Sequence, residues 1–406
     1  MRLIADLHLH SRFSRATSPQ MDLASLAHWA KIKGIGLLGT GDFTHPQWLK
    51  ELRDSFVAEG NGLYRYDDVR FMFTSEISAI WSQDGRVRKV HVLVLAPSLD
   101  AVERIDRDLS LIGNLASDGR PILGISAQRL AEVVWNAEET AELIPAHVWT
   151  PWFSVFGSRS GFNSLEECFG KHTKRIFAIE TGLSSDPPMN WRLSALDHLT
   201  LISNSDAHSP SKLGREATLF DLPEPSYESI IAAMKMRDRA RFLGTIEFYP
   251  QEGKYHYDGH HKCGVVLSPR EAMKLDNTCP VCGKPLTIGV LHRIEDLADR
   301  SDGSATSIRP RYRSLVPLEE IISQALGVGV KTKTVSREYT RLIEEFGNEF
   351  RILLDLPREE LEGHVPSRIF AGIMHVRSGN VEITPGYDGV YGQVRIPLDA
   401  DQGSKG

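Results

Sequence analysis

Four cysteines in 406 residues are too few for a disulfide scaffold. Two of them, Cys279 and Cys282, stand in the C-x-x-C spacing of a metal knuckle, which suits a reducing compartment. No run of about 18 apolar residues is present, so no membrane span and no membrane partner are expected. The first ten residues carry Arg2, Asp6 and two histidines where a secretory signal would be apolar, which points to the cytoplasm. A global excess of basic charge is lacking too: 47 Lys and Arg stand against 53 Asp and Glu. Any nucleic-acid surface therefore has to be local. What remains, 41% apolar and 25% charged residues, is the composition of a soluble chain long enough for two or three domains.

Apolar strand-like runs that finish in metal-ligand side chains organise the first 210 residues. Leu3-Ile4-Ala5 leads into Asp6-Leu7-His8-Leu9-His10. Strand alternation sends both histidines to one face, about 7 Å apart. A helix follows, with Asp22 as its N-cap, Leu23, Leu26, Ala27 and Ala30 at helical spacing, and Gly34 past its end. Later runs end in Asp42, Glu76, His147, Glu180, and then Asp206 with His208. Strands alternating with helical stretches, with ligand side chains at successive strand ends, predict a β/α barrel whose site lies at the C-terminal ends of the strands. Asp84-Gly85 marks a two-residue hairpin turn. If Gln83 pairs with Arg86, Ser78 pairs with His91, and Glu76 and His91 lie diagonally on one face, about 7–8 Å apart at the backbone.

The barrel pattern stops near 245–255. His260-His261-Lys262-Cys263 and Cys279-Pro280-Val281-Cys282-Gly283-Lys284 then make a zinc-ribbon signal. Its expected ligands are Cys263, Cys279, Cys282 and His260, with His261 and His256 as weaker alternatives for the fourth. Such a site is closed and serves folding. Cys168 has no partner and is expected in the core. Residues 301–308 read as a polar linker. Between 304 and 341 there are seven Lys/Arg against three Asp/Glu, on two helices joined by a glycine-containing turn. Arg309, Arg311, Arg313, Lys331 and Lys333 are the expected contacts of this hairpin with a DNA backbone. The tail from 370 on reads as short strands and turns.

The residues D-L-H-L-H-S at 6–11, Glu76, His91, His147 and S-D-A-H at 205–208 resemble the PHP superfamily, the polymerase and histidinol-phosphatase group. T-G-D-F-T-H-P-Q-W at 40–48, H-V-W-T-P-W-F at 147–153, E-T-G-L-S-S-D-P at 180–187 and the cysteine segment resemble its endonuclease Q family more narrowly. The resemblance implies a distorted (β/α)7 PHP barrel over 1–247, and roughly residues 1–245 carry it. We expect a small zinc-binding domain at 248–300, a helical hairpin region at 301–365 and a β-rich tail at 366–406.

Matching family ligand positions are His8, His10, Glu76, His91, His147, Asp206 and His208. Two positions depart: Arg15 stands where family members often have aspartate, and Gly41-Asp42-Phe43 where they have T-D-H. Asp42, with His45 as the weaker alternative, is expected to supply the missing ligand. The implied cofactors are two or three divalent ions in the barrel (Zn, Mn or Fe, with Mg as an alternative in assay) and one structural zinc. Glu76, Asp206 and His208 are the expected catalytic groups.

The implied activity is hydrolysis of DNA on the 5′ side of a deaminated base (uracil, hypoxanthine, xanthine) or an abasic site, the lesion being flipped into a pocket. Trp149, Trp152, Phe153, Phe156 and Phe162 are candidate walls; the donors are expected from the 149–163 loop, whose Ser160-Gly161-Phe162-Asn163 permits close backbone approach, or from the zinc-bearing domain across the cleft. Arg15, Arg159, Gly161 and Phe162 complete the expected DNA contacts. Damaged DNA is the expected partner, with a sliding clamp or a helicase as candidate protein partners and a nucleoid-associated location. Two alternatives compete: a small-molecule phosphatase of the histidinol-phosphate type, and a non-catalytic module supporting a helicase. The roughly 150 residues beyond the barrel argue against the phosphatase, and seven retained ligands against the module.

Overall fold

The computed structural model describes residues 2–301 and 311–398. Strands buried almost continuously along their length, with helices packed on them, build a mixed α/β core. The first strand, Arg2–Asp6, runs parallel to Leu37–Gly39, which runs parallel to Val69–Gln83. Val69–Gln83 pairs antiparallel with Arg86–Ala96, and that strand antiparallel with Glu142–Pro145. On its other side the first strand pairs antiparallel with Ala217–Asp221, which pairs with Phe242–Glu247. Ala178–Glu180 and Thr200–Ile202 form a separate parallel pair. Among the described residues up to 247, then, strand ladders give one large sheet and a short separate pair. The ladders do not by themselves close the expected barrel. The bridge between Leu9 and Ala207 is what joins the end of the first strand to the loop after Thr200–Ile202.

Local signals that set these elements are visible in the atoms. Asp22 accepts a hydrogen bond from Ser25 N and starts the helix Leu23–Lys33. Gly34 ends it at φ 86°, donating to the Ala30 and Lys31 carbonyls. In the long hairpin, Asp84 and Gly85 both take positive φ, the conformation a two-residue turn of this hand requires. Gln83 faces Arg86 and Ser78 faces His91, the register read from the sequence.

The second half is less separate than its composition implies. The linker expected at 301–308 lies, from 302 on, outside the described residues. Tyr312–Ser314 adds a parallel edge strand beside Phe242–Glu247, so the chain returns to the large sheet after the zinc-binding segment. A Cβ at residue 244 would meet the Arg311 carbonyl oxygen at 1.9 Å, which is why glycine stands there. The expected helical pair forms as Leu318–Leu326, closed by Gly327, and Lys333–Phe346, capped by Thr332. The tail is not strand and turn throughout: it opens on the helix Ser367–Arg377, and only then do the strands Glu382–Thr384 and Gln393–Arg395 pair with each other. Between them, Asp388 accepts from His261 N and Thr287 Oγ1, bracing the cysteine-bearing segment. No helix among the described residues is long and apolar enough to cross a membrane.

A buried ion pair fastens the helical pair to the sheet domain. Lys33 Nζ lies 2.5 Å from Glu349 Oε2, which also accepts from Tyr339 Oη at 2.6 Å. Leu318 N donates to the other Glu349 oxygen. Burial would raise the Glu349 pKa, but Lys33 and these donors bring it below the ordinary value. Glu349→Gln leaves the lysine charge buried and uncompensated, so urea unfolding should show a loss of about 3–5 kcal/mol. An unchanged midpoint would refute this role.

Candidate active site

His8 and His10 lie just past the end of the first strand, with ring centroids 5.5 Å apart. Asp6 anchors that strand end: its buried carboxylate accepts from Ser205 N and Gly214 N. Burial outweighs those donors and pushes its pKa up to about 6. Each histidine is held from behind by a carboxylate. His8 Nδ1 is 3.0 Å from both Glu180 oxygens, and His10 Nδ1 is 3.0 Å from Asp42 Oδ1. Such a contact fixes ring orientation and tautomer and leaves Nε2 to face the site.

The Nε2 side is where the chain converges. His10 Nε2 lies 3.1 Å from Asp206 Oδ1 and 3.3 Å from Glu76 Oε2. His8 Nε2 is buried without a hydrogen-bond partner, 3.6 Å from Glu76 Oε1 and 3.8 Å from Asp206 Oδ1. Glu76 Oε1 is 2.7 Å from His91 Nδ1 and 2.9 Å from His147 Nε2. His208 packs its ring 4.5 Å from His10.

Three clusters follow: His8, His10 and Glu76; His10, Asp206 and His208; and Glu76, His91 and His147. In each, one ligand atom per residue lies within 4.8 Å of the others. Glu76 and His10 each belong to two clusters; the Glu76 carboxylate has two oxygens to offer, whereas His10, its Nδ1 held by Asp42, has one nitrogen to give. Burial would raise the Glu76 and Asp206 pKa values, yet the surrounding histidines hold both well below the carboxylate range. Burial pushes His91 down to about 4, keeping an imidazole lone pair available. An orphaned imidazole nitrogen facing two carboxylate oxygens beyond hydrogen-bond reach fits a shared cation. The mixed imidazole–carboxylate donors fit divalent transition ions.

Backbone strain concentrates here. Asp42, His147, Phe153 and Asp206 take φ of 49°, 30°, 60° and 47°. Side chains rarely adopt such values without compensation, and they collect at functional sites. Above the clusters opens a cavity of about 500 Å³, whose walls include Arg15, Arg120, Thr150, Trp152, Phe153 and Ser184. Arg120 donates to Glu76 Oε2 at 3.1 Å and faces Asp206, the nearest cation to the carboxylates.

The structure revises several sequence expectations. Asp42 is not free to serve as a ligand: Ser11 N, Ser11 Oγ and Ser14 Oγ occupy the oxygen that His10 does not. It positions His10 instead. His45 stacks on Phe13, 4.4 Å away, and joins none of the three clusters. Phe162 is 2% exposed and stacks on Trp81, and Trp149 and Phe156 are equally buried. Of the five aromatics, Trp152 and Phe153 line the cavity. The N–H groups of Gly161, Phe162 and Asn163 are spent on Gly157 O, Val155 O and Glu167 Oε2, which removes them as base donors.

Arg15 sits at the cavity lip beside Asp118, and Arg159 is exposed. Arg313 belongs to the edge strand and Arg311 just precedes it, its carbonyl accepting from Thr245 N; Lys331 and Lys333 are exposed, and Arg309 lies outside the described residues. Sequence reasoning placed Glu180 at a strand end of the site but not behind His8, and did not place Arg120 there at all. A strand-terminal carboxylate was the only signal for Glu180, and Arg120 had none.

In the second half, His260, Cys263, Cys279 and Cys282 bring four ligand atoms within 4.8 Å of one another. Burial raises the Cys279 thiol, but backbone N–H groups of Cys282 and Val281 outweigh it and bring the pKa to about 6. His256 is buried against Tyr257, and neither it nor His261 joins this cluster. Cys168 is in the core as expected, where burial pushes its thiol up.

Comparison with known proteins covers nearly the whole chain. Family models match at residues 191–238, described as PHP-associated, and at 317–380, described as the MJ0043 C-terminal domain. The uncharacterized protein YqxK of Bacillus subtilis is 29% identical over 97% of this chain and 99% of its own length. The uncharacterized protein MJ0043 of Methanocaldococcus jannaschii is 35% identical over 61% of this chain but only 31% of its own. Two solved structures superpose almost end to end. One is the lesion-specific endonuclease PfuEndoQ of Pyrococcus furiosus, at TM-score 0.89 and 34% identity, covering 99% of this chain and 98% of that one. The other is an endonuclease Q complex with a 27-mer duplex carrying an abasic lesion at the active site, at TM-score 0.86 and 34% identity, covering 99% of both chains.

Proposed function

This chain belongs to the endonuclease Q family of the PHP superfamily, and we propose that it is a divalent-metal-dependent DNA endonuclease that cuts 5′ of a deaminated base or abasic site. The observation that carries the reading is the convergence of His8, His10, Glu76, His91, His147, Asp206 and His208 on three overlapping clusters beneath an open cavity. We read the large sheet and the separate strand pair together as the family's distorted barrel over 1–247, followed by a zinc-binding segment at 248–300.

Divalent ions in such clusters supply Lewis acidity at a phosphate oxygen and a hydroxide nucleophile at neutral pH. The chain's own part is positional. Glu180 and Asp42 hold His8 and His10, so that their Nε2 atoms converge without reorganisation. Asp206, 3.1 Å from His10 Nε2 and 3.8 Å from His8 Nε2, would help hold an ion and orient the attacking water. Arg120 offers its guanidinium to the charge developing on the phosphate. Trp152 and Phe153 flank the space into which a flipped nucleotide would turn.

The test is incubation with Mn or Mg on labelled duplexes carrying uracil, hypoxanthine, an abasic site or no lesion. A nick 5′ of the lesion, leaving 3′-hydroxyl and 5′-phosphate ends, is expected. Absence of cleavage on every lesion would overturn the reading, and rapid hydrolysis of histidinol phosphate instead would favour a phosphatase.

The cysteine cluster we assign to one structural zinc held by His260, Cys263, Cys279 and Cys282. Binding and folding are coupled at such sites. Cys279→Ser should therefore lower zinc content by about one ion per chain and increase proteolysis of the 255–298 segment. Unchanged zinc stoichiometry would refute the assignment.

A further inference from the structure

A second concave site lies on the other side of the long hairpin. Arg86 and Arg88 occupy the outer end of the strand Arg86–Ala96, Arg159 comes from the loop after His147, and Arg293 from the helix Val290–Leu297. All four line one cleft of about 170 Å³. Residue parity along the strand puts Arg86 and Arg88 on the face opposite His91. Ser78 and His91 line the catalytic cavity, while Trp81, directly across from Arg88, stacks on Phe162 at the cleft. This cleft is therefore distinct from the metal site. It lies on the order of 10–17 Å farther out along the strand.

Two of the arginines build its walls. Arg88 lies 4.2 Å over the Phe162 ring and donates to the Gly161 carbonyl, while its Nε is buried without a partner. Arg293 donates to the Phe156 and Phe162 carbonyls, at 3.1 and 2.9 Å, and to Asn163 Oδ1. The other two, Arg86 and Arg159, are exposed and have no side-chain partner among the described residues. None of the four forms an ion pair there. The single carboxylate in the lining, Glu167, is occupied by Asn163 N. A backbone N–H leaves the Glu167 charge in place, and Asp296 also acts on Arg293, so four guanidiniums face an incomplete set of carboxylates and the excess positive charge favours an anion among them. Planar N–H forks match phosphate oxygens, and a buried Nε with no acceptor calls for one.

We infer that the Arg86–Arg88–Arg159–Arg293 cleft binds a backbone phosphate of the DNA strand, several nucleotides from the scissile bond, and sets the register in which the lesion reaches the metals. This rests on the nuclease reading and adds to it a contact that carries no base information. Arg86→Gln combined with Arg159→Gln leaves the wall-building arginines in place. On a lesion duplex with a non-hydrolysable linkage 5′ of the lesion, with all metals in place, this double variant should bind roughly ten- to a hundredfold more weakly. The slope of log affinity against log salt should fall by about one.

The decisive measurement walks a single uncharged methylphosphonate along the duplex. One position should weaken wild-type binding yet leave the variant unaffected, because both changes remove the same contact. If the wild type binds lesion duplex tightly and the variant matches it in affinity, slope and walk, this assignment falls while the nuclease reading stands. If the wild type binds no lesion duplex, both fall. Millimolar inorganic phosphate, against chloride of equal ionic strength, separates the other source. Thermal stabilisation of the wild type alone, with no sensitive position in the walk, would assign the cleft to a free anion and overturn the backbone contact.

Discussion

Glu76→Ala should reduce cleavage by roughly a thousandfold or more, the equivalent of several kcal/mol of metal-derived stabilisation at the phosphate. No other side chain touches as much of the site. Its two oxygens reach His8, His10, His91, His147 and Arg120. Its removal takes one ligand from each of two clusters at once. The fold should survive, because Glu76 sits in the long hairpin, whose ladder runs from Phe73 opposite Ala96 to Gln83 opposite Arg86 and needs only backbone atoms there.

Glu76→Gln is the informative control. It keeps the shape and removes the charge, and should lose nearly as much. Asp42→Asn, which touches the metal-facing groups only through His10, should cost about 10- to 100-fold. Cleavage by Glu76→Ala within tenfold of wild type, at an unchanged melting temperature, would remove Glu76 from the centre of the site. A milder effect at Glu76 than at Asp42 would reverse the roles assigned to them.

The contrast between Glu76 and Asp42 marks where sequence reading runs out. The hairpin register came from Asp84-Gly85 and simple counting, so the meeting of Glu76 with His91 was legible: both are local to one turn. The cap residues Asp22 and Gly34 were legible for the same reason. Asp42 was legible as a strand-end carboxylate but not in its direction, which Ser11 and Ser14 decide from 31 and 28 residues away. The pairing of His8 with Glu180 spans 172 positions and leaves no periodic trace. Phe162 misled because an aromatic beside glycine reads the same whether it faces a ligand or a neighbouring tryptophan. The strand Tyr312–Ser314 was hidden because three residues after a polar stretch carry too little alternation to stand out.

Cleavage of a uracil-containing duplex should exceed that of the same duplex without a lesion by roughly ten- to a thousandfold. Deamination replaces an amino donor with a carbonyl acceptor in uracil, hypoxanthine and xanthine alike. A pocket presenting donors at that point accepts all three and leaves donor facing donor with the normal base. One or two unmade hydrogen bonds at about 1–3 kcal/mol each cover that range. Because the loop amides at 161–163 are already engaged, the donors must come from other walls of the cavity. Ser184, Arg15 and the Trp152 indole N–H are side-chain donors in its lining, outside the three ligand clusters.

An abasic nucleotide offers nothing to such donors and is recognised by its low cost of extrusion instead. The two lesion types should therefore respond differently to one substitution. Ser184→Ala should lower the rate on uracil and leave the rate on an abasic duplex largely intact. Trp152, 43% exposed at the cavity mouth, should matter to both when changed to alanine, since a base or a bare sugar must pass it. Equal cutting of lesion-free and uracil duplexes by the wild type would sink the donor argument and leave a general nuclease. Equal losses on uracil and abasic substrates in Ser184→Ala would place that hydroxyl on the sugar or phosphate and return the base contact to Arg15 or Trp152.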